Sequence, residues 1–220
     1  MDAREERWLA AITWREVVSE VRSKRRARKL RLFGCACCRR IETLVTDERS
    51  RAALRAGEAF ADDEIGKDAL ITARKAAATA ANEIQKRVGL RSTFWAAFVA
   101  EMVTHVAFDA FESASIRAAD AVARSGLRTQ EQEEQSQLVL LRDIFGNPFQ
   151  PVEFDPSWST EAVVDLARGM YESRDFGPMP VLADALEDAG CADAEVLGHC
   201  RGPGPHVRGC WVVDLVLGKA

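Results

Sequence analysis

Apolar residues recur at three- and four-residue intervals through most of this chain, which is the period of a helix and not of a strand. The pattern predicts helices at about 4–20, 25–45, 47–61, 63–88 and 92–125. Thr46 or Asp47 is the expected N-cap of the third, Asp62 or Asp63 of the fourth and Ser92 of the fifth, with Gly126 as its stop. In the fifth, Phe94, Phe98, Met102 and Phe108 fall at roughly helical spacing, and Trp95, Val99 and Val106 widen that face until only a narrow polar stripe is left. The stretch 72–81 is nearly all Ala with Arg, Lys and Thr, suited to close helix–helix approach.

Residues 129–137 are polar and low in complexity, either a linker or the exposed start of a sixth helix over Leu138–Phe145 that Gly146 stops. All seven prolines lie from Pro148 to Pro205, so the chain turns more often there. Helices are expected from Ser159 or Thr160 to about Arg174, from Pro178 to Gly190, and over 192–200. Gly202-Pro203-Gly204-Pro205 forces a turn. The tail 207–217 reads as a last helix, since Leu215 falls one turn after Trp211, with a strand through Trp211-Val212-Val213 as the alternative. The fold class expected is all-α: a helical bundle over 1–137, then a smaller, turn-rich helical region over 138–220 packed on it.

Composition agrees with a folded globular chain: of 220 residues, 47% are hydrophobic, 29% charged and only 7% aromatic. Small side chains suit helix packing better than a sheet. The start, Met1 to Glu6, is charged and lacks the apolar core of a signal peptide. The most apolar stretch, Phe94–Phe111, is interrupted by Glu101, His105 and Asp109, so no membrane span is expected and the cytoplasm is the default. Its reducing conditions argue against a disulfide framework for the six cysteines. The net charge of −4 conceals an asymmetry, because residues 1–51 carry 14 Lys and Arg against 8 Asp and Glu and the rest is strongly acidic.

Lys29 to Ile41, with Thr46 to Ser50, resembles the front of an uncharacterised protein family of planctomycete bacteria. Leu141 to Phe149 resembles that family's middle, and His199-Cys200-Arg201 with His206 to Asp214 its end. Leu182 to Gly190 resembles a short helical repeat-companion module of the same bacteria. The resemblance implies no activity, cofactor or catalytic residue.

Three sets of residues are candidates for chemistry. Cys35 and Cys38 share a helix face, and the C-terminal part supplies Cys191, His199, Cys200, His206 and Cys210. A zinc ion held by Cys35, Cys38, Cys200, His206 and Cys210 is one reading, because zinc takes four soft or borderline ligands. Small buried hydrophobes are the bland reading, and a redox Cys-x-x-Cys pair a third, without the βαβ context it usually has. Glu101, His105 and Asp109 lie at i, i+4 and i+8, with Glu112 nearby, so on one helix His105 has a carboxylate to orient it as a general base; the bland reading is a polar stripe facing water. Arg22, Lys24, Arg25, Arg26, Arg28, Lys29 and Arg31 form a basic run that suits phosphates or an acidic partner, or the chain's own acidic part. No phosphate-cradling glycine loop or nucleophile elbow occurs. The leading expectation is a non-enzymatic protein-interaction or accessory module. A zinc-stabilised or nucleic-acid-associated regulator comes next, and an enzyme using Glu101 and His105 last.

Overall fold

The structure, a computed structural model, describes residues 2–23, 26–107 and 109–219. Among them the chain forms twelve α-helices and no strand, so the fold is all-α. Two compact units result, Met1–Leu141 and Arg142–Ala220.

In the first unit, α1 (Ala3–Ala10) starts at Asp2, whose carboxylate accepts from the Arg4 amide. The helix expected over 4–20 breaks after Ala10. Thr13 and Glu16 cap one another in a short 3-10 turn (Trp14–Glu16), and only α2 (Val18–Val21) follows. Then come α3 (Ala27–Arg39), α4 (Glu48–Ala61), α5 (Lys67–Val88), α6 (Ser92–Met102) and α7 (Ala110–Ser125). Asp47 caps α4 as expected, whereas α5 starts at Gly66 and not at Asp62 or Asp63. The small residues set the spacing. A Cβ on Gly34 would lie 3.3 Å from Phe111, and one on Gly57 would lie 3.1 Å from the Val103 carbonyl. On α5 the buried positions include Ala77, Ala80 and Ala81, as the alanine-rich stretch suggested.

The long helix expected over 92–125 is two helices, α6 and α7. After Met102 the chain turns: the Thr104 hydroxyl donates to the Glu101 carbonyl, and Arg31, distant in sequence, donates to that of Val103 at 2.7 Å. Phe108 lies outside the described residues.

Helix α8 (Gln130–Phe145) corrects the reading of 129–137. The polar run is its first two turns, opened by a reciprocal cap between Thr129 and Gln132. It is not an exposed start throughout, because Glu133 and Gln137 are fully buried. Arg40 and Arg128 both donate to the Glu133 carboxylate, and the Gln137 amide donates to the Ser115 carbonyl. The division into units therefore falls inside α8 and not at 137.

The second unit holds α9 (Glu161–Ser173), α10 (Met179–Asp188), α11 (Ala194–Arg201) and α12 (Trp211–Val216), so the tail is helical. Its core includes Val163, Met170, Leu182, Leu186, Val196 and Val213, all nearly or fully buried. No helix among the described residues is long and apolar enough to cross a membrane.

Candidate metal centre

Near the end of α8, Leu138, Leu140, Leu141 and Ile144 are buried, and so is Asp143, with 4% of its surface exposed. A buried carboxylate is costly unless charge or hydrogen bonds meet it. Gly146, at φ +62°, ends the helix by donating to the Arg142 carbonyl. A Cβ there would lie 3.2 Å from the Trp211 indole, so both backbone and packing require glycine.

Asp193 caps α11 by accepting from the amides of Glu195 and Val196, which sets His199 on that helix's last turn. The Gly-Pro-Gly-Pro segment then reverses the chain. Gly204, at φ +67°, sits where a Cβ would lie 3.1 Å from the His206 nitrogen. His206 follows, and Cys210 is the residue from which α12 begins.

These elements bring four donor atoms together. The Asp143 Oδ1 lies 2.7 Å from His206 Nδ1 and 3.2 Å from His199 Nε2. The Cys210 Sγ lies 3.2 Å from His199 Nε2 and 4.0 Å from His206 Nδ1. All four atoms fall within 4.8 Å of one another, and such a group can hold a metal ion. Asp143 Oδ2 accepts from the Val207 amide at 2.9 Å, which fixes the carboxylate. The His199 ring stacks edgewise on His206, and the Trp211 ring lies 5.1 Å from it. Side-chain exposure is 3% for Asp143, 8% for His206 and 19% for His199, and Cys210 is fully buried.

Burial pushes the Asp143 carboxyl up, but hydrogen bonds and charge from His199 and His206 outweigh it and hold the group below the usual carboxylate range. Burial, and then Asp143, push the Cys210 thiol well above its usual value, against the amides of Val213 and Val212. A divalent cation reverses that balance, because a coordinating thiol is deprotonated outright. Bonds of roughly 2.0–2.3 Å place the donors of tetrahedral zinc about 3.3–3.8 Å apart; the separations here run from 2.7 Å to no more than 4.8 Å, so Asp143 and His206 would move apart and the wider pairs together around an ion.

The arrangement is not a nucleophile relay. In a Cys-His-Asp relay the thiol and the carboxylate engage opposite nitrogens of one imidazole. Here both approach the same nitrogen of His199.

Of the five residues proposed as zinc ligands, His206 and Cys210 are in this group, and His199, named beside them in the C-terminal part, joins it. Asp143 completes it. The signal for Asp143 was a lone carboxylate in the apolar run 138–145; His199 was one of only three histidines. Cys200 is buried on α11, its thiol pushed up to about 12 by burial, and is not one of the four donors. Cys35 and Cys38 belong to α3 of the first unit, and the group is drawn wholly from the second. Both are free and fully buried, and burial raises their thiols far above the usual value.

The Glu101–His105–Asp109 stripe does not form on one helix. Glu101 lies in the last turn of α6, His105 beyond its end, and Asp109 at the N-cap position of α7 without a side-chain hydrogen bond to it. Glu101 is raised by burial, with His105 pulling it back. In the basic run, Lys24 and Arg25 lie outside the described residues. Arg22 pairs with Glu112, Arg28 with Asp62, and Arg26 and Arg31 donate to backbone carbonyls of Glu20 and Val103; Lys29 is half-buried on α3. Compared with known proteins, the chain matches no family model, no curated protein and no solved structure.

Proposed function

We propose that the chain is a non-enzymatic accessory module whose second unit is held by a structural zinc ion, bound through Asp143, His199, His206 and Cys210. One observation carries the reading: the carboxylate, the thiol and both imidazoles each offer a donor atom, and the four lie within 4.8 Å of one another. Oxygen, nitrogen and thiolate together suit a borderline cation such as zinc better than magnesium or calcium. Four protein donors with little exposure fit a structural site, because catalytic zinc keeps a position open for water. The metal would also clip a long loop, since Asp143 and His206 are 63 residues apart. Closing a loop of that size contributes roughly 4 kcal/mol in the chain-entropy picture.

Cobalt(II) substitution tests this. Protein refolded with cobalt should show the visible bands of a tetrahedral site and a thiolate-to-cobalt charge-transfer band. The second band should vanish in Cys210→Ser and persist in Cys38→Ser. A wild-type spectrum of hexaaquo cobalt, or a thiolate band that survives Cys210→Ser, would refute the site.

A further inference from the structure

Two glycines at positive φ end neighbouring segments of the first unit, Gly89 after α5 and Gly126 after α7. Gly126 is left-handed, and the residue after such a glycine commonly folds an apolar side chain back onto its own helix. Here both successors stay in solvent, Leu90 with 53% of its surface exposed and Leu127 with 58%. They line one open groove of about 710 Å³ together with Leu44, Arg91 and Arg124.

The two arginines differ from most others in their unit. Arg15, Arg28, Arg39, Arg40, Arg49 and Arg128 all meet carboxylates. Arg91 and Arg124 form no ion pair among the described residues; Arg124 only leans toward the Trp95 ring, 5.7 Å from its centroid. A groove with solvated leucines and two guanidiniums without an ion pair is complementary to a ligand that pairs aliphatic side chains with carboxylates.

We infer that this groove docks a short acidic amphipathic segment of another protein, with carboxylates on Arg91 and Arg124 and aliphatic side chains on Leu44, Leu90 and Leu127. Leucine is a poor platform for bases, and among the described residues no aromatic side chain lines the groove, so a nucleic acid would gain charge contacts without stacking. Leucines spaced around a groove suit the apolar face of a helix. The inference gives a partner class to the accessory role proposed above and rests on that role, not on the zinc.

A random library of roughly 16-residue peptides, selected on the immobilised full chain, tests it. The expected consensus combines Asp or Glu with Leu, Ile or Phe at helical spacing. Binding of an enriched peptide, followed by fluorescence anisotropy, should weaken about tenfold or more in Arg91→Glu/Arg124→Glu and in Leu90→Ser/Leu127→Ser. It should also weaken with salt in the wild type. All four positions lie at the surface or near it, and circular dichroism of each variant checks the fold. No enrichment, a basic consensus, or equal binding by the variants would overturn the inference. So would displacement of the peptide by a single-stranded oligonucleotide, or self-association of the chain blocked by the same substitutions. Zinc content measured on the same samples separates the two proposals: peptide failure with zinc retained removes only the docking groove.

Discussion

The two units solve the same problem in different ways. Each buries carboxylates, and a buried carboxylate needs positive charge. The first unit supplies arginine: Glu133 takes Arg40 and Arg128, Glu58 takes Arg39, and Asp62 takes Arg28. The second surrounds Asp143 with two imidazoles, a thiol and one amide. Arginine is charged at every relevant pH and does not bind metals. Imidazole and thiol give up their protons to a cation. The contrast teaches that the first unit meets these carboxylates with fixed positive charge, while around Asp143 the second unit offers groups that could also hold a cation.

The strongest break in this contrast is Asp143→Ala. It removes the anionic oxygen donor and leaves the other three donors facing a gap. We expect zinc to be lost and the second unit to open more easily by roughly 3–5 kcal/mol, read as faster amide exchange in α11 and α12. A chelator should do the same to the wild type and little to the first unit. Unchanged exchange under both treatments would mean that the second unit does not need a metal.

Glu133→Gln is the counterpart in the first unit. It leaves Arg40 and Arg128 without their shared carboxylate, and we expect a loss of roughly 2–3 kcal/mol that is the same with and without chelator. Sensitivity to the chelator would blur the difference between the units.

The fold was largely legible because helical period and helix stops are local. Asp47, Gly126, Gly146 and Thr160 end or start helices where their chemistry says they should. The failures were long-range or competed with a local pattern. The apolar period ran on through 103–109, and nothing in it revealed that Arg31 would take the Val103 carbonyl. The run 129–137 read as solvent-facing because its partners, Arg40 and Ser115, are far off in sequence. The candidate site was half legible for the same reason. His206 and Cys210 stand close in sequence, whereas Asp143 is more than sixty residues away and became a donor only through the fold. The cysteine pair on α3 was misleading: helical spacing aligned Cys35 and Cys38, but on a face that is wholly buried.

Two smaller effects sharpen the contrast. Cys38→Ser puts a hydroxyl where a thiol is fully buried, so it should cost about 1–3 kcal/mol and leave zinc content unchanged. A fall in zinc would return α3 to the site. Asp47→Ala removes the α4 cap and should cost about 1 kcal/mol by denaturant unfolding. Hydrogen bonding from Arg49 holds the Asp47 carboxyl below its usual range. Its contribution is therefore present above the unfolded-state value and is lost as pH falls through the folded-state value. An equal loss on mutation far below that range would contradict the capping role.

The central claim is that the second unit is built around a metal, and zinc content by elemental analysis tests it most directly. Wild-type protein expressed with zinc in the medium, then dialysed free of loose metal, should retain about one equivalent per chain, and Asp143→Ala below about a tenth. Wild-type protein without zinc, or a variant that keeps the full equivalent, would contradict the account.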